Sequence, residues 1–301
     1  MSTTCARESA LTYELHGDVD APLVVALGGI SATRHVARSS QDPSEGWWDA
    51  IVGEGRAIDT RRCCVLGFDY IHSVGEPGAP VTTHDQADTL AALLNELGVS
   101  SVQTIVGASY GGMVALAFAE QHPARVESLV VISAAHETNA FATALRTVQR
   151  RIVELGVAGG HVRESMACAR ALAMTSYRTA REFNARFSTV PMSGAHGIEF
   201  EVERYLRRAG ERFAGRMSAE RFLALSLSAD LHRVVPEHVD TPTTLVTAEG
   251  DTLVPAVQMH ELARRLPRLR ALEDIRTRTG HDAFLTEPQQ LGTILTRALP
   301  L

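Results

Sequence analysis

The sequence predicts an α/β fold with a mainly parallel sheet, helices on both of its faces and a helical insert. Short apolar runs that end in Gly, Ser or Asp alternate with longer segments of helical periodicity. Continuous apolar runs are typical of strands buried on both faces of a parallel sheet. Their alternation with helices indicates a doubly wound arrangement, and one long segment without strand signals indicates the insert.

Six segments are predicted as strands because they are short, rich in β-forming apolar residues and followed by turn residues. They are 23–27, 63–68, 102–106, 128–132, 243–246 and 269–275. Apolar residues at helical spacing predict helices over 83–97, from just after Ser109 to about residue 122, and over 257–266. Gly or Pro follows each of these helices, as is usual where a helix ends.

The segment 140–235 is predicted as the insert. Its apolar spacing favours amphipathic helices, for example at 144–155 and 202–213. It is rich in Arg, although the whole chain has 29 basic and 35 acidic residues and a net charge of −6. We expect 1–139 and 236–301 to form the core and 140–235 to form a helical cap. Such a cap lies over the carboxyl ends of the strands, where ligands bind.

The composition excludes several classes of function. The chain has no Lys, which rules out a Schiff-base lysine and a Gly-Lys-Ser/Thr phosphate loop. A pI near 6.1 argues against nucleic acid as a partner. No apolar run reaches the roughly 18 residues of a membrane span. The four Cys form no Cys-x-x-Cys pair and no leader peptide is evident, so we expect a cytoplasmic protein without a metal site.

The pentapeptide Gly107-Ala108-Ser109-Tyr110-Gly111 lies between a predicted strand and a predicted helix. In a G-x-S-x-G turn the serine hydroxyl is exposed at the end of a strand, and the small neighbouring residues let strand and helix approach closely. This context favours Ser109 as a catalytic nucleophile, with an ordinary turn as the alternative.

A nucleophilic serine needs a general base, and the base needs a carboxylate that orients it. Asp251 follows the predicted strand at 243–246, and His281 follows the predicted strand at 269–275. The order Ser109, Asp251, His281 matches the chain order of triads on this kind of sheet. A loop-capping Asp and a surface His are the alternatives, but their placement after successive strands favours the triad.

Acyl transfer through a serine also needs N–H donors for the oxyanion. The first strong strand runs into Gly28-Gly29-Ile30, where such a fold supplies one backbone donor. We therefore expect the N–H groups of Ile30 and Tyr110 to form the oxyanion hole. A simple tight turn at Gly28-Gly29 is the alternative, and the sequence does not separate the two.

Five segments resemble the homoserine O-acyltransferases of the α/β-hydrolase superfamily. They are the serine turn at 107–113, Gly-His-Asp-Ala-Phe-Leu at 280–285, Ser-Tyr-Arg-Thr at 176–179, and two insert segments at 200–206 and 210–213. The Gly-His-Asp block and the Tyr-Arg segment are much more specific than the serine turn, which other hydrolases of this fold share. The resemblance implies an α/β-hydrolase fold with an inserted helical cap.

The resemblance implies a ping-pong reaction with an acyl-coenzyme A as co-substrate and no tightly bound cofactor. Ser109 would accept the acyl group, and the hydroxyl of L-homoserine would then receive it, in methionine biosynthesis. Arg178 would bind the carboxylate of the amino acid and Asp282 its ammonium, since a zwitterion needs one charge of each sign. Tyr205 is a candidate for the pocket wall. The resemblance also implies a homodimer joined through cap helices.

The serine turn and the short N-terminal region look closer to members that use succinyl-coenzyme A than to those that use acetyl-coenzyme A. A succinyl group carries a free carboxylate, which needs a nearby cation. Arg34 and Arg38, shortly after the Gly-Gly turn, are the candidates, and a solvated loop position is the alternative for each. Acetyl transfer to homoserine, succinyl transfer to serine and ester hydrolysis by the same triad stay open.

Overall fold

The computed structural model describes residues 11–40, 42–75, 78–194 and 197–300. Its strands, in chain order, are β1 (Tyr13–His16), β2 (Leu23–Leu27), β3 (Val52–Gly53), β4 (Ile58–Asp59), β5 (Cys64–Phe68), β6 (Thr104–Ala108), β7 (Leu129–Ile132), β8 (Met192–Gly194), β9 (Gly197–Glu199), β10 (Thr243–Ala248) and β11 (Leu269–Ile275). Its α-helices are α1 (Thr83–Glu96), α2 (Tyr110–Gln121), α3 (Ala140–Gly159), α4 (Val162–Tyr177), α5 (Ala180–Arg186), α6 (Glu201–Ala214), α7 (Ala219–Leu231), α8 (Ala256–Arg265), α9 (Ala283–Thr286) and α10 (Pro288–Ala298).

Seven strands form the central sheet, in the order β1-β5-β2-β6-β7-β10-β11. β1 runs antiparallel to β5, and every other neighbouring pair is parallel. Because parallel strands end at the same edge of a sheet, the loops that follow β2, β6, β7, β10 and β11 meet at one edge. The pairs β3-β4 and β8-β9 form two small sheets outside it.

Both faces of the sheet are covered, as the side chains of β2 illustrate. Val25 and Leu27 belong to a core cluster shared with α1, α2 and α8, whereas Val24 and Ala26 belong to a second cluster shared with α10. Successive side chains of a strand point to opposite faces, so the fully apolar run that predicted this strand is explained by burial on both sides. The predicted α/β class is confirmed.

The strand predictions were least accurate at the start of β6 and in short strands that are only partly buried. β6 begins at Thr104, two residues after the predicted start, because Val102 forms only an isolated bridge with Val126. The sequence does not predict the edge strand β1, in which only His16 is buried. The hairpin β8-β9 was also missed, and none of its side chains is buried.

The segment predicted as the cap contains α3 to α7. Helix α4 packs against α3 and α6, and α3 packs against α7. The predicted helix at 144–155 is longer in the structure, because Asn139 caps the Ala142 N–H at 3.0 Å and the helix ends at Gly160 in a left-handed conformation. The division into core and cap stays a prediction. Within the described residues, no helix is long and apolar enough to cross a membrane.

The contact between α2 and β2 predicts a strong effect of adding one methyl group. A Cβ on Gly111 would lie 2.6 Å from the Leu27 Cβ and closer still to the Leu27 carbonyl. Backbone atoms cannot move aside as the end of a flexible side chain can. We therefore expect Gly111→Ala to lower the free energy of unfolding by about 1–3 kcal/mol or more. Thermal or urea unfolding measures this. Gly159→Ala, where the new Cβ meets only His161 at 3.6 Å, is the matched control and should leave stability unchanged or slightly raised. Equal stability of both variants would contradict the packing argument.

Candidate active site

Ser109 lies at a sharp turn between β6 and α2. Its backbone has φ 54° and ψ −120°, a conformation that costs a non-glycine residue on the order of 1–3 kcal/mol. The Ser109 N–H donates to the Ile132 carbonyl at 2.8 Å, which ties the turn to the end of β7. A Cβ on Gly107 would overlap the backbone of Gly111, so these glycines are what allow the turn.

The structure brings Ser109, His281 and Asp251 within hydrogen-bonding distance of one another. The Ser109 hydroxyl and His281 Nε2 are 2.8 Å apart, and His281 Nδ1 and an Asp251 carboxylate oxygen are also 2.8 Å apart. The other oxygen of Asp251 accepts the N–H groups of Leu253 and Val254, both at 2.9 Å. A carboxylate held in this way fixes the orientation and tautomer of the imidazole, which leaves Nε2 free to take the serine proton.

His281 is buried beside two carboxylates. Burial disfavours its charged form, but the charge and hydrogen bond of Asp251 and the charge of Asp282 outweigh burial, so the pKa of His281 is raised. The charge of Arg146 opposes this increase. The same carboxylates make the imidazole a stronger base, because they stabilise the imidazolium that would form if His281 took the Ser109 proton.

Ile30 and Tyr110 lie in the wall of the cavity that Ser109 and His281 share. Tyr110 is the first residue of α2, so its N–H has no carbonyl partner within the helix, and it lies at the positive end of the helix dipole. A Cβ on Gly29 would lie 4.0 Å from the Ser109 Cβ, which places the loop before Ile30 beside Ser109. The arrangement suits an oxyanion hole, and the roles of the two N–H groups stay a prediction.

Tyr70, to which the sequence analysis assigned no role, holds the loop after β2 in place. The Gly28 carbonyl accepts the Gly111 N–H at 2.9 Å and the Tyr70 hydroxyl at 2.8 Å. The Tyr70 ring also contacts the Tyr110 ring edge to face, with centroids 4.9 Å apart. Burial raises the pKa of Tyr70 well above its usual value, so the hydroxyl stays a donor. No local motif marks this contact, since 42 residues separate its partners.

Arg178 and Asp282, predicted as the two ends of an amino-acid site, are paired with each other. Arg178 Nε donates to Asp282 at 2.9 Å, and another N–H of Arg178 donates to Glu182 at 3.1 Å. Burial opposes the charge of the guanidinium, but these carboxylates outweigh it and raise the pKa of Arg178. Asp282 lines the cavity, whereas Arg178 is not among the described residues that line it. Their role towards a substrate stays a prediction.

The prediction that Tyr205 forms the pocket wall is not supported by the geometry. Tyr205 on α6 packs against Phe187, with ring centroids 5.0 Å apart, and against Phe183 on α5. The Arg186 guanidinium lies 4.6 Å from the centre of its ring. This aromatic cluster turns Tyr205 towards α5, and it is not among the described residues that line the cavity.

The prediction that Arg34 or Arg38 faces the acyl pocket also needs correction. Arg34 pairs with Asp69 at 2.6 Å and with Glu14 at 3.3 Å, and Arg38 pairs with Asp49 at 2.9 Å. Each guanidinium is therefore engaged by a carboxylate of the protein. Neither belongs to the described lining of the cavity.

Two other guanidinium groups line the cavity, those of Arg146 on α3 and Arg170 on α4. Arg146 shares the buried carboxylate of Asp230 with Arg150, at 2.7 and 2.6 Å. Sequence reasoning missed both lining residues. The only sequence signal for them was the excess of Arg in 140–235, which indicates the region but not which Arg residues line the cavity.

The segment 140–235 contacts the two loops that follow β10 and β11 and carry Asp251 and His281. The Thr179 hydroxyl donates to the Arg278 carbonyl, and its methyl group would lie 3.1 Å from a Cβ on Gly280. The Thr252 hydroxyl donates to the Ser176 carbonyl at 3.1 Å. Residues at the junction of α4 and α5 therefore form hydrogen bonds with both the Asp251 loop and the His281 loop.

One group of side chains outside the cavity has the composition of a metal site. Atoms of Glu14, His35 and Asp42 lie close together among the described residues. Glu14 is already engaged by His35 at 2.8 Å and by the Arg34 guanidinium at 3.3 Å. A guanidinium beside the carboxylate competes with a cation for it, so we assign no metal to this group.

The charge of Asp282 predicts a pH effect on the nucleophile. Asp282→Asn removes one cause that raises the pKa of His281, so the imidazole should stay neutral, and Ser109 active, at lower pH. The rate of inactivation by phenylmethylsulfonyl fluoride, measured against pH, reports this without a substrate. Its acid limb should move to lower pH, whereas Asp240→Asn, an exposed site, should not move it. A shift to higher pH would contradict the assigned electrostatics.

Comparison with known proteins agrees with this geometry. A family model described as the α/β hydrolase fold matches residues 22–288. The chain is 43% identical to a homoserine O-succinyltransferase of Xanthomonas campestris pv. campestris, over 97% of this chain and 79% of that protein. It is 30% identical to an L-serine/homoserine O-acetyltransferase of Streptomyces lavendulae, over 97% and 91% of the two chains.

Solved structures share the fold at low sequence identity. A homoserine O-acetyltransferase from Bacillus anthracis superposes with a TM-score of 0.85 at 17% identity, covering 97% of this chain and 92% of that one. Esterase E22 superposes with a TM-score of 0.84 at 20% identity, covering 96% and 93%. Likenesses at these identities show the fold alone. The family model establishes that this chain belongs to the α/β-hydrolase fold family, and the 43% identical relative establishes that, within it, the chain belongs to the homoserine O-acyltransferases.

Proposed function

We propose that this protein transfers a succinyl group from succinyl-coenzyme A to the hydroxyl of L-homoserine in methionine biosynthesis. The observation that carries the proposal is the charge of the cavity wall. Beside Ser109 and His281, the wall presents two guanidinium groups, Arg146 and Arg170, and the Asp282 carboxylate. A fourth charged residue of the wall, Glu137, is paired with Arg233 at 3.3 Å. A succinyl group and an amino acid together bring two carboxylates and one ammonium, which matches this set of charges.

In the first half-reaction, Ser109 Oγ attacks the thioester carbonyl while its proton passes to His281 Nε2. The N–H groups of Ile30 and Tyr110 stabilise the oxyanion. When the carbon–sulfur bond breaks, the thiolate of coenzyme A takes the proton from His281 and leaves as a thiol. The products are a succinyl ester on Ser109 and a neutral imidazole.

In the second half-reaction, His281 takes the proton of the homoserine hydroxyl, and the oxygen attacks the ester carbonyl. The bond to Ser109 breaks, and His281 returns the proton to the serine. Asp282 is placed to meet the ammonium of the acceptor. Arg178 orients Asp282 through its 2.9 Å contact, and it reaches a substrate carboxylate only with the N–H groups that Asp282 and Glu182 leave unused.

The choice of succinyl over acetyl rests on the cations of the cap and on the 43% identical relative. An acetyl group is neutral and has no use for a second guanidinium in a half-buried wall, where an unpaired charge is costly. Arg146 and Arg150 together carry two positive charges against the single charge of Asp230, so that cluster keeps a net positive charge towards an anionic acyl group.

The first experiment follows thiol release from succinyl- and acetyl-coenzyme A, each with homoserine, with serine and with no acceptor. Release should depend on the acceptor and be fastest with succinyl-coenzyme A and homoserine. Serine, one methylene shorter, should be poorer by roughly 10- to 200-fold. Ser109→Ala should lower the rate by roughly 10⁴-fold or more while thermal unfolding stays close to that of the parent.

Each other outcome identifies another activity. Thiol release that does not depend on an acceptor would favour hydrolysis, the activity named for esterase E22, which shares the fold. Faster release with acetyl-coenzyme A would identify acetyl-coenzyme A as the donor, and faster release with serine would identify serine as the acceptor. If the Ser109→Ala variant released thiol at the parent rate, Ser109 would not be the nucleophile.

The proposed homodimer has a candidate surface on α3. Phe141, Val148 and Leu155 are 58%, 52% and 57% exposed and follow one another at seven-residue spacing, which puts them on one face of the helix. Such a stripe is typical of a helix that packs against another helix. We place a second copy of this chain on it, because the resemblance implies a dimer through cap helices. We also place the protein in the cytoplasm, since Cys63, Cys64 and Cys168 are free thiols.

Light scattering on a sizing column tests the dimer. The parent protein should have the mass of two chains, and Val148→Glu, which puts a charge in the centre of the stripe, should shift it towards one chain. Val257→Glu is the matched control, since Val257 is 71% exposed on α8 in the core, away from the stripe. A monomeric parent, or a Val148→Glu protein that stays dimeric, would refute this interface.

A further inference from the structure

The buried hydroxyl of Tyr70 reaches the loop that carries one of the two proposed oxyanion donors. It donates to the Gly28 carbonyl at 2.8 Å, and the same carbonyl accepts the Gly111 N–H at 2.9 Å. A carbonyl oxygen has two lone pairs, so these two hydrogen bonds use both of them. Together they fix the direction of the peptide group that joins Gly28 to Gly29.

The next peptide group, which joins Gly29 to Ile30, is held from the other side. The Gly29 carbonyl accepts the Ala32 N–H at 2.9 Å. Because a trans peptide directs its N–H opposite to its carbonyl, this bond also bears on the direction of the Ile30 N–H. Gly29 has no side chain to restrict the rotation between the two peptide groups. The direction of the Ile30 N–H therefore depends on a support at each end of this short segment.

Tyr70 is itself held firmly by side chains of two helices. Arg221 on α7 donates to the Tyr70 carbonyl at 2.7 Å. The Gln86 amide on α1 accepts the Ile71 N–H at 3.0 Å and donates to the Ile71 carbonyl at 2.7 Å. Two neighbouring aromatic rings contact the Tyr70 ring edge to face. The hydroxyl is thus aimed at Gly28 by a support that fixes both the backbone and the ring.

We propose that Tyr70 is a positioning residue for the oxyanion hole, in which its hydroxyl holds the Gly28 carbonyl and thereby aims the Ile30 N–H. The proposal rests on the proposed function, because acyl transfer through Ser109 is what creates the oxyanion. Tyr70 is not among the described residues that line the cavity, so it acts through the loop rather than by touching a substrate. A donor that is aimed in advance stabilises the transition state more than the bound substrate.

A purely structural role would give Tyr70 a different signature. If the hydroxyl only stabilised the fold, its loss would lower the free energy of unfolding but leave the kcat of the folded protein unchanged. If the hydroxyl aims the Ile30 N–H, its loss should lower kcat and leave KM close to that of the parent, since the oxyanion exists only in the transition state and the tetrahedral intermediate.

The first measurement is thiol release by Tyr70→Phe, which removes the hydroxyl and keeps the ring. Loss of a complete oxyanion donor costs roughly 10²- to 10³-fold in kcat, so a misdirected donor should cost roughly 10- to 100-fold. Thr104→Val is the matched control. The Thr104 hydroxyl lies 2.8 Å from the Ser128 hydroxyl, and both are buried at the opposite end of the sheet from Ser109. Its loss should lower stability as well, but leave kcat unchanged.

The second measurement uses 1,1,1-trifluorobutan-2-one, labelled with carbon-13 at the carbonyl, which forms a hemiketal with a nucleophilic serine. The oxyanion of the hemiketal occupies the oxyanion hole, and the chemical shift of the labelled carbon against pH gives its acid dissociation constant. Tyr70→Phe should lower this constant by the same roughly 10- to 100-fold, and Thr104→Val should not change it. No acyl-coenzyme A is needed, so the result does not depend on the identity of the donor or the acceptor.

An unchanged hemiketal constant in Tyr70→Phe, an equal change in Thr104→Val, or a parent that forms no hemiketal would overturn the proposal. If Tyr70→Phe fails to fold, Arg221→Gln, which frees the Tyr70 carbonyl, takes its place, and an unchanged constant there would overturn it too. Failure of the proposed function looks different. The hemiketal constant would then respond to Tyr70→Phe, whereas the parent would release no thiol from an acyl-coenzyme A in response to homoserine.

Discussion

The close approach of α2 to the strands beneath it is the constraint on which the rest of the site depends. Where Gly107 and Gly111 lack side chains, helix and strand backbones touch, and Ser109 is forced into a positive φ at the edge of the sheet. The Gly111 N–H also donates to the Gly28 carbonyl, so the same contact positions the loop before Ile30. The positions of Ser109 and of the proposed oxyanion hole are therefore set by one packing contact.

The cavity divides its charges between two sources. The loops of the sheet supply carboxylates, in Asp251 and Asp282, and these favour the protonated form of His281. Helices α3 and α4 supply guanidinium groups, in Arg146 and Arg170. A reaction that moves a proton through an imidazole and binds carboxylate ligands benefits from this separation, because each charge lies near the group it stabilises.

The sequence predicts the α/β class and most of the central sheet because these features rest on local signals. Runs such as 23–27 are buried on both faces, and the turn around Ser109 has a short motif. The positions of Asp251 and His281 follow from strand order alone. By contrast, β1 is a partly exposed edge strand, and its pairing with β5 has no local signal.

The direction of long polar side chains could not be predicted, because it depends on partners far along the chain. Arg34 turns to Asp69, 35 residues away, and Tyr205 turns to the aromatic residues of α5. Arg170 is one of 29 Arg, and only the fold shows that two rings hold it at the cavity without a carboxylate. A residue of an abundant type becomes recognisable as part of a site only when its neighbours are known.

The contacts of Thr179 with Arg278 and of Thr252 with Ser176 limit how the helical segment 140–235 can be replaced. They join the helical segment to the very loops that orient the imidazole and its carboxylate. If that segment were replaced by another, the new segment would have to form the same two contacts. Without them, the loops that position His281 and Asp251 would lose part of their support. A point substitution elsewhere in the helical segment would leave both contacts in place.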